Sequence, residues 1–422
     1  MLRFNFENAV DFIGKAKVDS YIESNKNLLQ QLFKEKEEDP ERVFGWFDVE
    51  KWTAPDLVNQ IKRKAGEIQE KADAFVLVGV GGSNNGARAV VEALAKNSKV
   101  EVVYAGNNLS SIRVHELLEK LKGKSVYIDV IAKNFETLEP GLSFRILRRF
   151  LREQHGENFS ERIVATGTQG SSLNRLADEN GCLFLPFPAD IGGRYSVLSP
   201  VGLLPVAAAG IDIDQMILGA REMELEIKKA PFHNNPAVTY AAVRSCLEKQ
   251  GFAMEFLSFF EPDLECFAKW WVQLFAESEG KDHEGLYPVA CSFSEDLHSV
   301  GQYIQNGKRD LSELFLQVEA VEQDYVVKPD DRFKDGFDYL DGKTVKEIND
   351  IAFRATVKAH IDGGIPCSVI TLPKLTPYYF GQLFYFFQFA CYLSGTFIGI
   401  NPFDQPGVEA YKNEMFYNLK SR

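Results

Sequence analysis

Leu57, Ile61, Ala65 and Ile68 recur at intervals of three and four residues, which places them on one apolar helix face. Pro55 and Asp56 suit the first turn of that helix. Helical periodicity predominates from residue 1 to about 72. The period then changes. Phe75-Val76-Leu77-Val78-Gly79-Val80 is short and wholly apolar, as a strand buried on both faces requires. Further strands are predicted at Val102–Ala105, Val126–Ile131, Ile163–Ala165 and Leu183–Phe187. Amphipathic helices are predicted between them at Ala87–Ala95, Ser111–Leu121, Gly141–Gln154 and Ser172–Glu179. Strand and helix in alternation imply a parallel sheet covered on both faces.

The alternation returns later. Strands are predicted at Ala253–Phe259, Tyr287–Ala290, Leu314–Val318, Tyr325–Val327 and Ser368–Leu372. Helices are predicted at Val238–Lys249, Asp263–Ser278, Leu297–Asn306 and Val345–His360. One long helical segment, Pro200–Lys229, separates the halves, and Gln405–Lys420 reads as a last helix. Lys328–Lys343 is polar and reads as a loop. No residue-level repeat links the two halves. The expected fold class is α/β, with two doubly wound parallel-sheet domains and helical terminal segments. The expected divisions are an N-terminal helical segment at 1–50, α/β domains at 51–200 and 201–400, and a C-terminal helix at 401–422.

A chain of 422 residues is long enough for about two such domains. Apolar content of 45% and charged content of 25% are those of a soluble globular protein. No apolar run is long enough for a membrane span, and the N-terminus lacks a signal-peptide pattern, so a cytoplasmic location is expected. A net charge of −13 argues against nucleic-acid partners, but leaves room for a small anionic substrate in a local basic pocket. Six cysteines without a CxxC pair imply neither disulfides nor a zinc site.

Several segments carry candidate chemistry. Gly79-Val80-Gly81-Gly82-Ser83-Asn84-Asn85-Gly86 follows a buried strand and opens a helix, a placement that offers backbone N–H groups to an anion. It matches neither the dinucleotide nor the P-loop pattern, so a sugar or phosphate fits better than NAD or ATP. Ala132-Lys133-Asn134-Phe135-Glu136-Thr137 follows another buried strand and is a weaker anion loop. Arg194 follows Gly192 and Gly193 and precedes a nearly uncharged run, so it is either an anion binder or the partner of a distant carboxylate. Glu277 shares a helix face with Gln273 and stands four residues before Lys281, so it reads as a buried general base or as half of a local ion pair. His298 is a proton carrier or a structural histidine. Asp404 suits a helix cap with Pro406 in the first turn, and Gln405 and Lys412 then fall on one side of that helix.

Taken together, G-V-G-G-S at Ser83, G-G-R-Y-S at Arg194, E-S-E-G-K at Glu277, D-L-H-S-V-G-Q at His298 and F-D-Q-P-G-V-E-A-Y-K at Lys412 resemble the phosphoglucose isomerase family in its short bacterial form. The resemblance runs over residues 50 to 415. It implies two sugar-isomerase (SIS) domains, each an αβα sandwich, and interconversion of glucose 6-phosphate and fructose 6-phosphate through a cis-enediolate. By the same resemblance Glu277 is the base, Arg194 stabilises the enediolate, and His298 and Lys412 open the ring. Gly82, Ser83, Gln273 and Gln405 contact the sugar, and Thr137, with Lys133, contacts the phosphate. Neither metal nor organic cofactor is implied. A homodimer is implied, because the family's histidine comes from the neighbouring subunit.

The chain departs from the family pattern where serine and threonine are usual, with Ala132, Asn134 and Glu136 in the phosphate loop. Gln388 replaces a common glutamate within an apolar helix, where a structural effect is expected. Two alternatives remain: a sugar-phosphate-binding SIS regulator, which keeps the anion loops but can lose the base and ring-opening groups, and an isomerase of wider hexose range, for which the altered Ala132–Thr137 loop leaves room.

Overall fold

The computed structural model describes residues 1–28, 31–32, 34, 43–133, 135–330 and 332–421. Part of the N-terminal helical stretch and Asn134 of the predicted anion loop lie outside these described residues.

Strand β1 is Arg3–Asn5. The first sheet holds β2 (Ala74–Val78), β3 (Glu101–Ala105), β4 (Val126–Ala132), β5 (Ile163–Gly167) and β6 (Leu183–Pro186). Its order is β3-β2-β4-β5-β6, and every pairing is parallel. All of β2, β4 and β5 is buried, which is why these segments read as unbroken apolar runs. The second sheet adds β7 (Met254–Phe259), β8 (Tyr287–Ser292), β9 (Leu311–Ala320) and β10 (Cys367–Lys374). Its order is β1-β10-β9-β7-β8, and β1 alone runs antiparallel, with Phe4 opposite Ile370.

The two sheets share one topology. Numbered within each half, the parallel strands run 2-1-3-4, the order of a doubly wound fold whose crevice opens between strands 1 and 3. The repeat predicted from the alternation is therefore one of connectivity. The fifth position differs. Tyr325–Val327 forms no strand; Val326 makes an isolated antiparallel bridge with Thr344. The place at the sheet edge is taken by β1, within a stretch read as helical. A three-residue edge strand has no periodicity to detect, and its backbone partners lie over 360 residues away.

Other boundaries move for local reasons. The long segment from Pro200 is two helices, Pro200–Ala208 and Ile213–Lys229. Gly210 takes φ +82°, and the Asp212 carboxylate accepts from the amides of Asp214 and Gln215 to start the second helix. His298 closes a 3-10 turn, Glu295–His298, ahead of a helix that begins only at Gly301. The last helix spans Glu409–Lys420, after a 3-10 turn at Pro406–Val408.

Between the sheets lies the helix Pro377–Phe397, apolar around nearly its whole circumference and almost wholly buried. It crosses Ile213–Lys229 with backbones in contact. A Cβ on Gly381 would lie 1.9 Å from the Met216 carbonyl oxygen, and one on Gly219 1.9 Å from that of Tyr378. Phe380, Phe384 and Phe387 pack their rings against Phe267, Trp270 and Trp271 of the helix Glu265–Glu279. That second helix carries Gln273 and Glu277, so the aromatic core fixes where their polar ends emerge. Among the described residues, no helix is long and apolar enough to cross a membrane.

Candidate active site

The Gly79–Gly86 turn leaves the carboxyl end of β2, and the helix Gly82–Leu94 starts inside it. Gly81 holds φ +57°, a conformation that favours glycine. Gly82 lies against the 3-10 turn Gly193–Leu198 that carries Arg194. A Cβ on Gly82 would sit 2.0 Å from the Gly193 carbonyl carbon and 2.5 Å from the Arg194 nitrogen. Two motifs over 100 residues apart thus touch backbone to backbone.

Arg194 is 1% exposed. Its Nε donates to Ser278 Oγ at 2.7 Å, and its Nη2 donates to the carbonyls of Pro402 and Asp404. Its own carbonyl accepts from Trp270 Nε1 at 3.2 Å. Among the described residues Nη1 has no hydrogen-bond partner; it faces Glu277 Oε1 at 3.5 Å. A buried guanidinium held on two sides, with its remaining nitrogen turned to a partly exposed carboxylate, is preorganised to meet an oxyanion there.

Glu277 does not pair with Lys281. Lys281 Nζ instead reaches Asp404 Oδ1 at 2.7 Å and donates to the Asn401 carbonyl. Asp404 is consequently no helix cap; Gln405 precedes the 3-10 turn, and no side chain caps it. Glu277, with its side chain 25% exposed, accepts from Gln273 Nε2 at 3.0 Å through Oε2. Gln273 Oε1 accepts from Asn85 Nδ2 at 2.8 Å. A polar chain therefore runs Asn85, Gln273, Glu277, Arg194, Ser278. Two of its five members, Asn85 and Ser278, carry no role that the sequence alone assigns. Both stand inside the motifs quoted above, but only the fold shows their partners.

The next residue turns the other way. Glu279 is buried and accepts from Arg244 Nη2 at 2.6 Å, while Arg244 Nη1 pairs with Glu255. Burial pushes the Glu279 carboxyl upward against the pull of Arg244. This interior network anchors the helix end beside Glu277. Gln388, whose expected role was structural, donates to the Tyr195 carbonyl at 2.9 Å.

The sequence model of the family described as phosphoglucose isomerase matches residues 55–417. The glucose-6-phosphate isomerase of Alkaliphilus metalliredigens is 41% identical over 427 residues, 98% of this chain and 95% of its own. That of Clostridium perfringens is 45% identical over 384 residues, 88% of this chain and 85% of its own. The chain belongs to the phosphoglucose isomerase family. Among solved structures, a hypothetical protein of Thermus thermophilus superposes with a TM-score of 0.90 at 26% identity, over 100% of both chains. A glucose-6-phosphate isomerase of Chlamydia trachomatis superposes with a TM-score of 0.75 at 20% identity, over 86% of this chain and 73% of its own, a likeness of fold.

Four of the five motifs that resemble this isomerase family converge around Arg194: the glycine turn, the arginine turn, the Glu277 helix end and the Pro402–Asp404 segment. The fifth does not. His298 is exposed, and its side chain makes no hydrogen bond among the described residues. Lys412 pairs with Glu409 at 3.2 Å on the C-terminal helix, and Gln405 lies outside that helix, so the two do not share its face. Ser83 is partly exposed in the first turn of its helix. The phosphate-loop candidates leave β4, next to β2, so both loops flank the topological switch point of the first sheet. Lys133 Nζ donates to the Ala189 and Ile191 carbonyls at 2.9 and 3.1 Å, and burial pushes its pKa down. Its ammonium thus braces the segment leading to Arg194. Thr137 is exposed at the start of the helix Leu138–His155, and its hydroxyl does not cap that helix.

Proposed function

We propose that this protein interconverts glucose 6-phosphate and fructose 6-phosphate, with Glu277 moving the proton between C2 and C1. The observation that carries this reading is the Glu277 carboxylate, held by Gln273 and faced by the free Nη1 of buried Arg194. Glu277 takes the C2 proton of the open-chain aldose as the C1 carbonyl becomes an enediolate oxygen. Arg194 Nη1 is aimed where that negative charge develops. Return of the proton to C1 from Glu277, with the O2 proton passing to O1, gives the ketose. His298 and Lys412 open the ring by exchanging protons at the ring oxygen and the C1 hydroxyl. The helix N-terminus at Thr137, beside the glycine turn, holds the phosphate.

His298 acts in this scheme from a neighbouring subunit, which suits its exposure in a monomer. A segment with exposed Tyr325, Phe333, Phe337 and Tyr339 supplies apolar surface for such a dimer. The test is Glu277→Gln in a coupled assay on glucose 6-phosphate. We expect kcat to fall by at least about a thousandfold with substrate binding retained, the scale of a lost general base. Near-normal turnover would exclude Glu277 as the base, and binding without turnover in the unmodified protein would favour the regulator.

A further inference from the structure

A cavity of about 500 Å³ is lined by Arg145, Arg148, Arg149, Arg152, Phe159 and Asn180. The four arginines stand at positions i, i+3, i+4 and i+7 of the helix Leu138–His155, so they form one face. Phe159 and Asn180 come from the 3-10 segment Gly156–Arg162 and the end of the helix Ser172–Asn180. Three elements thus line the space, which opens to solvent.

Three of the four charges lack a carboxylate partner among the described residues. Arg149 pairs with Glu153 at 2.7 Å. Arg145, Arg148 and Arg152 have no carboxylate within 4.0 Å among the described residues, and Arg148 lies 5.6 Å over the Phe144 ring. Acidic residues outnumber basic ones by 60 to 47 in this chain, so carboxylates were available to neutralise the face. Like charges at these spacings oppose helix formation. The helix dipole accounts for Arg152 in the last turn but not for the arginines one and two turns earlier.

We propose that this cavity is a second anion site, which takes a small polyphosphate-bearing molecule. Planar guanidinium forks at successive turns suit phosphoryl groups in series, and Phe159 offers an apolar wall to an attached ring or base. The site is separate from the sugar site. The helix begins at the carboxyl end of β4, beside Thr137, and runs back toward the opposite edge of the sheet; Arg152 lies about 20 Å along it from Thr137.

The test is calorimetric titration of the intact protein with sodium tripolyphosphate and, separately, with magnesium-free ATP, at low ionic strength. We expect saturable binding of tripolyphosphate that persists at saturating fructose 6-phosphate. Tighter binding of ATP would assign the natural ligand to the nucleotides, and equal or weaker binding to inorganic chains. The exposed pair Arg145→Ala with Arg152→Ala should weaken binding at least tenfold, and adding Arg148→Ala should abolish it. Both variants should show a Tm no lower than that of the unmodified protein, and an unchanged isomerase rate, in the absence of anion. Arg113→Ala, on the neighbouring helix Ser111–Leu121 but outside the cavity lining, should leave binding unchanged. Absence of binding, displacement by fructose 6-phosphate, or equal loss in Arg113→Ala would overturn the site.

Discussion

At the scale of single residues, the two glycines before Arg194 do different work. Gly193 meets Gly82 at backbone distance, whereas a Cβ on Gly192 would meet nothing within 4 Å. Arg194 itself turns three nitrogens to four different neighbours, a geometry that a lysine cannot copy. Arg194→Lys should therefore lower kcat by about 100-fold or more, on the scale of a lost oxyanion donor, in steady-state kinetics. An unchanged kcat would make Arg194 a structural ion pair. A second residue sets a pH dependence. Asp129, central in β4, accepts from Thr166 Oγ1 at 2.8 Å through Oδ1, while Oδ2 is buried without a partner among the described residues. Burial pushes its pKa from 3.8 up to about 8, so the folded protein keeps a neutral acid there at neutral pH. The folded state holds this proton more tightly than the unfolded chain, so its stabilising contribution is complete below pH 3.8 and is lost as pH rises through about 8. Relative to the native protein, the Tm of Asp129→Asn should climb steadily between these limits and then level off. A constant difference in Tm across that range would contradict the assignment.

At the scale of elements, most helices and strands follow from the periods of the sequence, because each buries one face or both. The exceptions share a cause. β1 exists through pairing with β10, and the break at Gly210 depends on a positive φ and a cap. Neither feature alters the apolar period. The glycine turn shows the same limit. Its placement after a buried strand was legible, but its need for glycine at 82 comes from a turn over 100 residues later. Gly82→Ala should reduce Tm and activity together, because its Cβ would overlap the Gly193 backbone. Gly192→Ala, made into open space, should leave both nearly unchanged; similar losses in the two variants would refute the contact as the reason.

At the scale of the molecule, two halves of one topology carry unequal crevices. At the first switch point, loops from β2 and β4 frame the site. The corresponding crevice of the second sheet is reduced to about 10 Å³, lined by Phe260, Glu261, Lys346 and Asn349 among others. Asn349 Nδ2 donates to the Phe260 carbonyl and Lys346 pairs with Asp350 inside it. The second half instead contributes the helix end that delivers Gln273 and Glu277. A site shared further, across a dimer, predicts complementation. Glu277→Gln and His298→Ala homodimers should each be nearly inactive. Dissociated and reassociated together, they should regain about a quarter of native activity, since half of randomly formed dimers are mixed and each holds one intact site. No recovery, with mixed dimers verified by native mass spectrometry, would place His298 in the same subunit as Glu277.

The sequence by itself determined the α/β class, the alternation in both halves, the family and the identity of the polar groups, since burial pattern and residue chemistry are local properties of the chain. The tertiary structure decided which of those groups meet. Glu277 had Lys281 four residues away and Arg194 more than 80 away. It faces Arg194, because Lys281 is drawn to Asp404 and an aromatic core holds the Glu277 helix against the arginine turn. Such partnerships depend on how helices cross, and helix crossings are set by packing that no short stretch of sequence contains.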